Sequence, residues 1–326
     1  LGLVVGQKML QRDSQLTDRL IPPGSQGYLE ERSTRYPFKV VTRVSVGEYR
    51  AHIWDYSKVG IIVYPLLSLL FGVGIFWLTG RSTSPTQELK RALDQQEFIP
   101  YLQPVVTGDD AHWSGCEVLM RWQHPRQGMI SPDRFIPLAE DSGLIVPMTR
   151  LLMAQVREAF APLADKLPRG FHFGFNISAS HCKDLSLVDD CRDFIYAFRN
   201  NPIKLVLELT ERELIVADET TDRLFAELHQ LGVFIAIDDF GTGHSSLTYL
   251  QTFQVDFLKI DQSFVGMIGS DALSSHIVEN VIDLATRLGL QLVAEGVENQ
   301  VQADYLKARE VTFLQGYLFG RPMPMK

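Results

Sequence analysis

Seven side chains able to hold a cation or move a proton stand at or near the ends of six short apolar runs. Glu117 lies in CEVLMRW, Asn176 in FHFGFNIS, Glu208 in KLVLELTE, Asp238 and Asp239 in FIAIDDFGTG, Lys259 in FLKID and Glu295 in LQLVAEGVE. Each is ordinary alone, since an acidic residue after a strand most often caps a helix or sits in a solvated loop. Their joint recurrence at successive strand ends is what calls for chemistry. Carboxylates gathered without compensation resist ionisation through mutual repulsion and burial. Divalent cations remove that penalty, and an all-oxygen donor set without His or Cys suits hard ions such as Mg²⁺, Mn²⁺ or Ca²⁺ rather than zinc. Neighbouring strand side chains point to opposite faces, so Asp238 and Asp239 can meet one site only where the strand ends and turns. Gly241 and Gly243 supply such a turn. A carboxylate there can bridge two ions about 3.5–4 Å apart, the spacing used for in-line attack on phosphodiesters.

The elements that must position these residues follow from the texture after about Phe98. Apolar runs at 171–175, 205–209, 233–237, 257–260 and 290–293 are short, as buried parallel strands are. Helical stretches at 144–160, 213–231, 272–288 and 299–308 lie between them. Repeated strand–helix units predict an α/β fold of the TIM-like (β/α)8 type, whose strands bring their C-terminal ends to one mouth. A doubly wound open sheet is the runner-up, disfavoured because no glycine-rich dinucleotide fingerprint follows the first strand.

The rest of the 326 residues divides into a front zone at 1–58, an apolar stretch at 59–80 and a linker at 81–97, with the catalytic zone at 98–326. The run VGIIVYPLLSLLFGVGIFWLTG carries no charged side chain, and its 22 helical residues cover about 33 Å, which predicts one transmembrane helix with Trp77 near an interface. Arg81, Lys90 and Arg91 after it, against Arg50 and Lys58 before it, bias the C-terminal side weakly toward the cytoplasm. Residues 37–56 read as two short strands joined at Gly47. They are expected to end an extracytoplasmic domain whose beginning lies upstream of Leu1. Cys116, Cys182 and Cys191 lack zinc-site spacing and read as reduced thiols. A formal net charge of −8 argues against a polymeric nucleic acid as partner, and an acidic protein acting on a phosphate ester needs cations to offset its own field.

The ordered strings YLQPVV, EVLMRW, FNIS, ELTE, DDFGTGHSSL, LKID, EGVE and QGYLFGRPMP resemble the EAL-domain family of cyclic di-GMP phosphodiesterases, over residues 98–326. The resemblance implies hydrolysis of cyclic di-GMP to linear pGpG by in-line attack of water, with two Mg²⁺ or Mn²⁺ ions and with Ca²⁺ inhibitory. It implies Glu117, Asn176, Glu208, Asp238, Asp239 and Glu295 as metal ligands, Asp238 bridging both ions. Lys259 then positions or deprotonates the attacking water, and Glu211 braces a loop at 240–247 whose ordering is coupled to homodimer formation. Gln103, Leu119, Arg121, Glu298, Gln315 and Pro322 match positions that bind substrate, Arg121 by offering a phosphate its planar fork of donors. The sequence departs from the family pattern at Val118, where the name motif has alanine, at His244, where tyrosine is commoner, and at Glu310, where a glycine often stands. If the chain needs a positive φ at 310, glutamate costs about 1 kcal/mol there. The stretch STRYPFKVVTRVSVGEYRAHIW before one membrane helix resembles the end of a CSS-motif periplasmic sensor, which implies an inner-membrane protein with its catalytic part in the cytoplasm. The alternative reading is a non-catalytic cyclic di-GMP receptor. Such degenerate members usually lose metal ligands or the loop-bracing glutamate, and all of those positions are filled here.

Overall fold

In a computed structural model the chain is described at residues 2–23, 25–79, 84–210, 218–241, 254–269 and 272–325. It divides into two compact units, Leu1–Ser82 and Thr83–Lys326.

The first unit holds an antiparallel sheet of β1 (Gly2–Val5), β2 (Lys8–Gln11), β3 (Leu16–Thr17), β4 (Tyr28–Arg32) and β5 (Phe38–Arg43), in the order β3-β2-β1-β5-β4. Its core is small: Val4, Met9 and Val41 are buried, with Ile21 and Tyr28 packed against them. After β5 the chain enters α1 (Val46–Thr79), so the second strand expected after Gly47 is not formed. Residues 46–56 alternate only partly, and no strand edge pairs with them. Among the described residues no helix is long and apolar enough to cross a membrane. The crossing expected at 59–80 is therefore not supported. Residues 59–79 are nonetheless helical, within α1. Ile61, Ile62, Leu66, Leu69, Leu70, Phe71 and Phe76 in it are exposed.

The second unit starts with α2 (Pro85–Asp94), so the expected linker is helical over most of its length. Leu89 and Ala92 on α2 are fully buried, and His124 Nε2 lies 3.1 Å from the Glu88 carboxylate. The strands that follow are β6 (Phe98–Thr107), β7 (Trp113–His124), β8 (Gly128–Ile130), β9 (His172–Ile177), β10 (Lys204–Thr210), β11 (Phe234–Phe240), β12 (Phe257–Ile260), β13 (Gln291–Ala294), β14 (Phe313–Gln315) and β15 (Met323–Pro324). Eight described strands close on themselves in the order β6-β14-β13-β12-β11-β10-β9-β7-β6, with β8 and β15 outside the ring. This is the expected α/β barrel with one difference: β6 runs antiparallel to both neighbours. A five-residue connection between β6 and β7 makes them a hairpin, and a parallel crossover needs a dozen residues or more.

The central parallel strands are buried on both faces, as in Lys204–Thr210, where the five inner positions are all buried. The helices are α3 (Ile136–Asp141), α4 (Ile145–Phe160), α5 (Ser186–Ala197), α6 (Glu219–Gln230), α7 (Gln262–Val265), α8 (Ala272–Leu288) and α9 (Gln300–Lys307). Met148, Leu152 and Val156 on α4, spaced by four, form the buried stripe. Asp218 caps α6 by accepting from the Thr221 N–H, and Asn299 with Gln302 closes a capping box on α9.

Candidate metal centre and substrate cleft

Strand periodicity builds the site. Val206, Ala236, Phe257, Val293 and Phe313 form a separate apolar cluster inside the ring. Two residues further along the same strands stand Glu208, Asp238, Lys259, Glu295 and Gln315. Side chains at i and i+2 share a face, so an apolar floor residue on each strand dictates an inward residue at the mouth. Glu208 sits in register with Asn176 on β9, and Glu117 pairs with Gln103 across the β6–β7 hairpin.

The paired aspartates need more than periodicity. Asp239 has φ +56° and Gly241 φ +96°, and the β11–β12 register shifts between Ile237 and Phe240. That left-handed step breaks the alternation, and single aspartates tolerate it better than most residues. Asp238, Asp239 and Glu295 consequently offer carboxylate oxygens within 4.8 Å of one another, as do Glu117, Glu208 and Asp238. Asp238 belongs to both groups.

One buried lysine runs through the centre. Lys259 Nζ lies 2.5 Å from Glu208 Oε2, 2.5 Å from Glu295 Oε1, 3.2 Å from Asp238 Oδ2 and 3.6 Å from Glu117 Oε2, and its side chain is 2% exposed. Glu117 has further partners: Asn176 Nδ2 donates to Oε1 and Gln315 Nε2 to Oε2, each at 2.7 Å. Burial pushes Glu117 up, but Lys259 and these two amide donors outweigh it and leave its carboxyl below the usual range. Burial dominates at Glu208 and raises it to about 8 against the pull of Lys259, with the Glu117 and Asp238 charges adding to the rise. Glu295 is pushed well above the ordinary range for the same reasons. Burial and the charge of Asp238 lift Asp239 to about 6. For Lys259 the four carboxylates outweigh desolvation and hold the ammonium charged. The cluster thus carries more potential negative charge than one lysine can balance, and it keeps protons near neutral pH. An all-oxygen, proton-retaining cluster is a donor set that a hard divalent cation would fit and deprotonate.

The expected substrate residues separate into two cavities. A cleft of about 210 Å³ is lined by Gln103, Leu119, Glu298 and Gln315 together with Glu117, Asp238 and Glu295. Arg121 lines a neighbouring cavity of about 240 Å³, with Pro132, Ile136, Glu140 and Thr149, and Leu119 is shared by both. The Arg121 guanidinium donates to the Met120 carbonyl at 2.9 Å and lies 5.7 Å from the Tyr101 ring. Pro322 is half-buried, just before the pairing of Met323 with Leu102, and does not line the cleft. Glu211, His244 and most of the loop at 240–247 lie outside the described residues. The cleft also contains Gln262, Gly296, Gly316 and Tyr317, which the sequence reading missed. Gln262 follows LKID, and Gly316 and Tyr317 lie inside QGYLFGRPMP, so the signal was present in motifs read for their other residues. Gly316 is constrained by packing, because a Cβ there would collide with the Val297 backbone.

The EAL domain family matches residues 86–322, from the helix before the barrel to its final strand. The chain belongs to the EAL-domain family. It is 48% identical over 238 residues to the cyclic di-GMP phosphodiesterase PdeL of Escherichia coli K12, covering 73% of this chain and 66% of that protein. It is 45% identical over 273 residues to the probable cyclic di-GMP phosphodiesterase PdeG of the same strain, covering 80% and 54%. The solved PaMucR phosphodiesterase in complex with c-di-GMP is similar with a TM-score of 0.66 at 33% identity, over 74% of this EAL-family chain and 98% of that one. The chain spans between about half and two thirds of the length of these two curated relatives.

Proposed function

We propose that this EAL-family protein hydrolyses cyclic di-GMP to linear pGpG. The observation that carries the proposal is the pair of carboxylate groups sharing Asp238 at the mouth of the barrel, beside a cleft that holds Gln103, Glu298 and Gln315. Two hard ions, Mg²⁺ or Mn²⁺, held by Glu117, Asn176, Glu208, Asp238, Asp239 and Glu295 would supply Lewis acidity toward a phosphodiester and activate water near neutral pH. The chain's own residues do the rest. Asn176 and Gln315 orient Glu117 through hydrogen bonds to its two oxygens. Lys259 reaches the carboxylates from below and is placed to orient the attacking water. Gln103 and Glu298 offer an amide and a carboxylate to the base edges of a guanine, and Arg121 in the adjoining cavity offers a fork of donors to a phosphate. Names of relatives that are cyclic di-GMP phosphodiesterases, and a related structure holding that ligand, support the choice of substrate.

Incubating the full chain with cyclic di-GMP and Mg²⁺ or Mn²⁺ is expected to yield pGpG as the first product. Tight binding without turnover would instead mark a receptor. Calcium is expected to inhibit, because its looser and larger coordination does not enforce in-line geometry.

The setting of the enzyme is part of the same proposal. The exposed apolar side chains from Ile61 to Phe76 favour association with lipid, and recovery in the membrane fraction after carbonate washing tests it. An inner-membrane location with the EAL unit facing the cytoplasm is supported by the charge bias around 59–80 and by the need to meet a cytoplasmic nucleotide. The first unit is read as the end of a CSS-type periplasmic sensor. A relative named probable cyclic di-GMP phosphodiesterase PdeD aligns over the whole of this chain, first unit included, at 41% identity. Homodimer formation through the EAL unit rests on the family resemblance, and light scattering of the purified chain reads it.

A further inference from the structure

Lys259 and the divalent ions of the proposed centre draw on the same oxygens. The ammonium has three N–H donors and three near carboxylates, Glu208 and Glu295 at 2.5 Å and Asp238 at 3.2 Å. Glu117, the fourth at 3.6 Å, has its two oxygens served by Asn176 and Gln315 instead. Of the two carboxylate groups able to hold an ion among the described residues, one contains Glu208 and Asp238 and the other Asp238 and Glu295, so the lysine reaches into both. Its stem rises from β12 between the apolar floor residue Phe257 and the mouth, with 2% of the side chain exposed, and this anchors the charge in place.

We propose that Lys259 is a tethered cation that holds the mouth carboxylates together by itself and competes with divalent ions for them, so that it sets the metal affinity of the centre. The inference rests on reading the mouth as a metal centre. It assigns Lys259 a positioning role separate from any contact with water or substrate. A fixed positive charge sharing ligands with an ion lowers the affinity of that ion through like-charge repulsion. It also prevents the carboxylates from driving each other apart when no ion compensates them. The side chain therefore exchanges maximal metal affinity for a preassembled centre, with ligands already in place when an ion arrives.

The test needs no substrate. Mn²⁺ is titrated calorimetrically into the full chain in detergent, as wild type, Lys259→Met and Lys259→Arg, and each is melted in chelator and in saturating Mn²⁺. Lys259→Met is expected to bind Mn²⁺ about tenfold more tightly or better, the effect of removing one neighbouring positive charge. It is expected to melt below wild type in chelator and to gain more from Mn²⁺, whereas Lys259→Arg stays near wild type in both. Unchanged or weaker Mn²⁺ binding by Lys259→Met, or equal melting in chelator, overturns the competition. If Lys259→Met fails to fold in chelator, refolding it with Mn²⁺ decides: recovery supports the proposal and continued failure overturns it. No Mn²⁺ uptake by either wild type or Lys259→Met removes the metal centre itself, a result separable from the others.

Discussion

The floor and the mouth of the barrel are built from the same strands two residues apart, yet their chemistry is opposite. At the floor, Phe257, Phe313, Phe234 and Val206 pack with His172, whose ring lies 4.8 Å from that of Phe313. Burial, with Lys204 nearby, lowers His172 to about 4, so even this polar group stays neutral. At the mouth, Glu208, Asp238, Lys259 and Glu295 bring ionisable groups to comparable burial. The floor derives its stability from apolar area. The mouth holds unfavourable charge that the floor must support. The comparison teaches that one strand can carry stability and function at adjacent inward positions, because the sheet period separates them without changing the backbone.

Removing the carboxylate common to both acidic groups should break the mouth alone. Asp238→Ala is expected to cut hydrolysis by roughly a thousandfold, the several kcal/mol that metal activation supplies, while thermal unfolding changes little. A chelator-resistant wild-type rate in that variant would remove Asp238 from the chemistry. Breaking the floor should do the reverse. Phe257→Ala is expected to cost about 3–5 kcal/mol of stability by denaturant titration, with Mn²⁺ affinity of the folded fraction retained. Loss of metal affinity without loss of stability would contradict the division.

Gly174 lies where the two layers meet, and a Cβ there would collide with the Glu208 carboxylate oxygen. Gly174→Ala should displace that carboxylate and lower turnover by about a hundredfold, as small misplacements at reacting centres do. Normal kinetics would mean that Glu208 has room to move.

The charge at the mouth also predicts a pH signature. Glu208 titrates near 8 in the folded protein against an ordinary value of 4.5, so the folded state holds a proton that the unfolded chain releases between those values. Its stabilising contribution is complete below about pH 4.5 and is lost as pH rises through about 8. In chelator the melting temperature should fall across that window, and saturating Mn²⁺ should flatten the fall by binding the deprotonated form.

The smallest effect lies outside both layers. Glu310 adopts φ +56° after α9, the conformation that glycine accepts freely, and its own N–H donates to the Lys307 carbonyl at 3.0 Å. Glu310→Gly should add about 0.5–1 kcal/mol of stability by denaturant titration and leave turnover unchanged.

How far the sequence could be read varied with the range of the interaction. Strand positions at 171–175, 205–209 and 257–260 were legible because buried parallel strands are short apolar runs, and 272–288 and 299–308 were legible as helices from their period. The second strand after Gly47 was misread because short, partly alternating stretches fit strand and helix alike. The reversal of β6 was invisible because direction depends on the partners a strand finds. Arg121 shares strand parity with Glu117 and Leu119, yet it lines the neighbouring cavity, since parity fixes a face and says nothing of what lies beyond the rim. Tyr317 reaches the cleft from the turn after β14 and Gln262 from the first turn of α7, placements that no strand periodicity encodes.

What the sequence determined by itself is the order and identity of the chemical residues and the inward face of each strand, both local properties set by a two-residue repeat. Ring closure, the left-handed step at Asp239 and the convergence of four carboxylates on one ammonium were decided only by tertiary structure. They depend on contacts between residues about two hundred positions apart, such as the side-chain hydrogen bond from Gln315 to Glu117 at 2.7 Å, and chain-local preference cannot specify them.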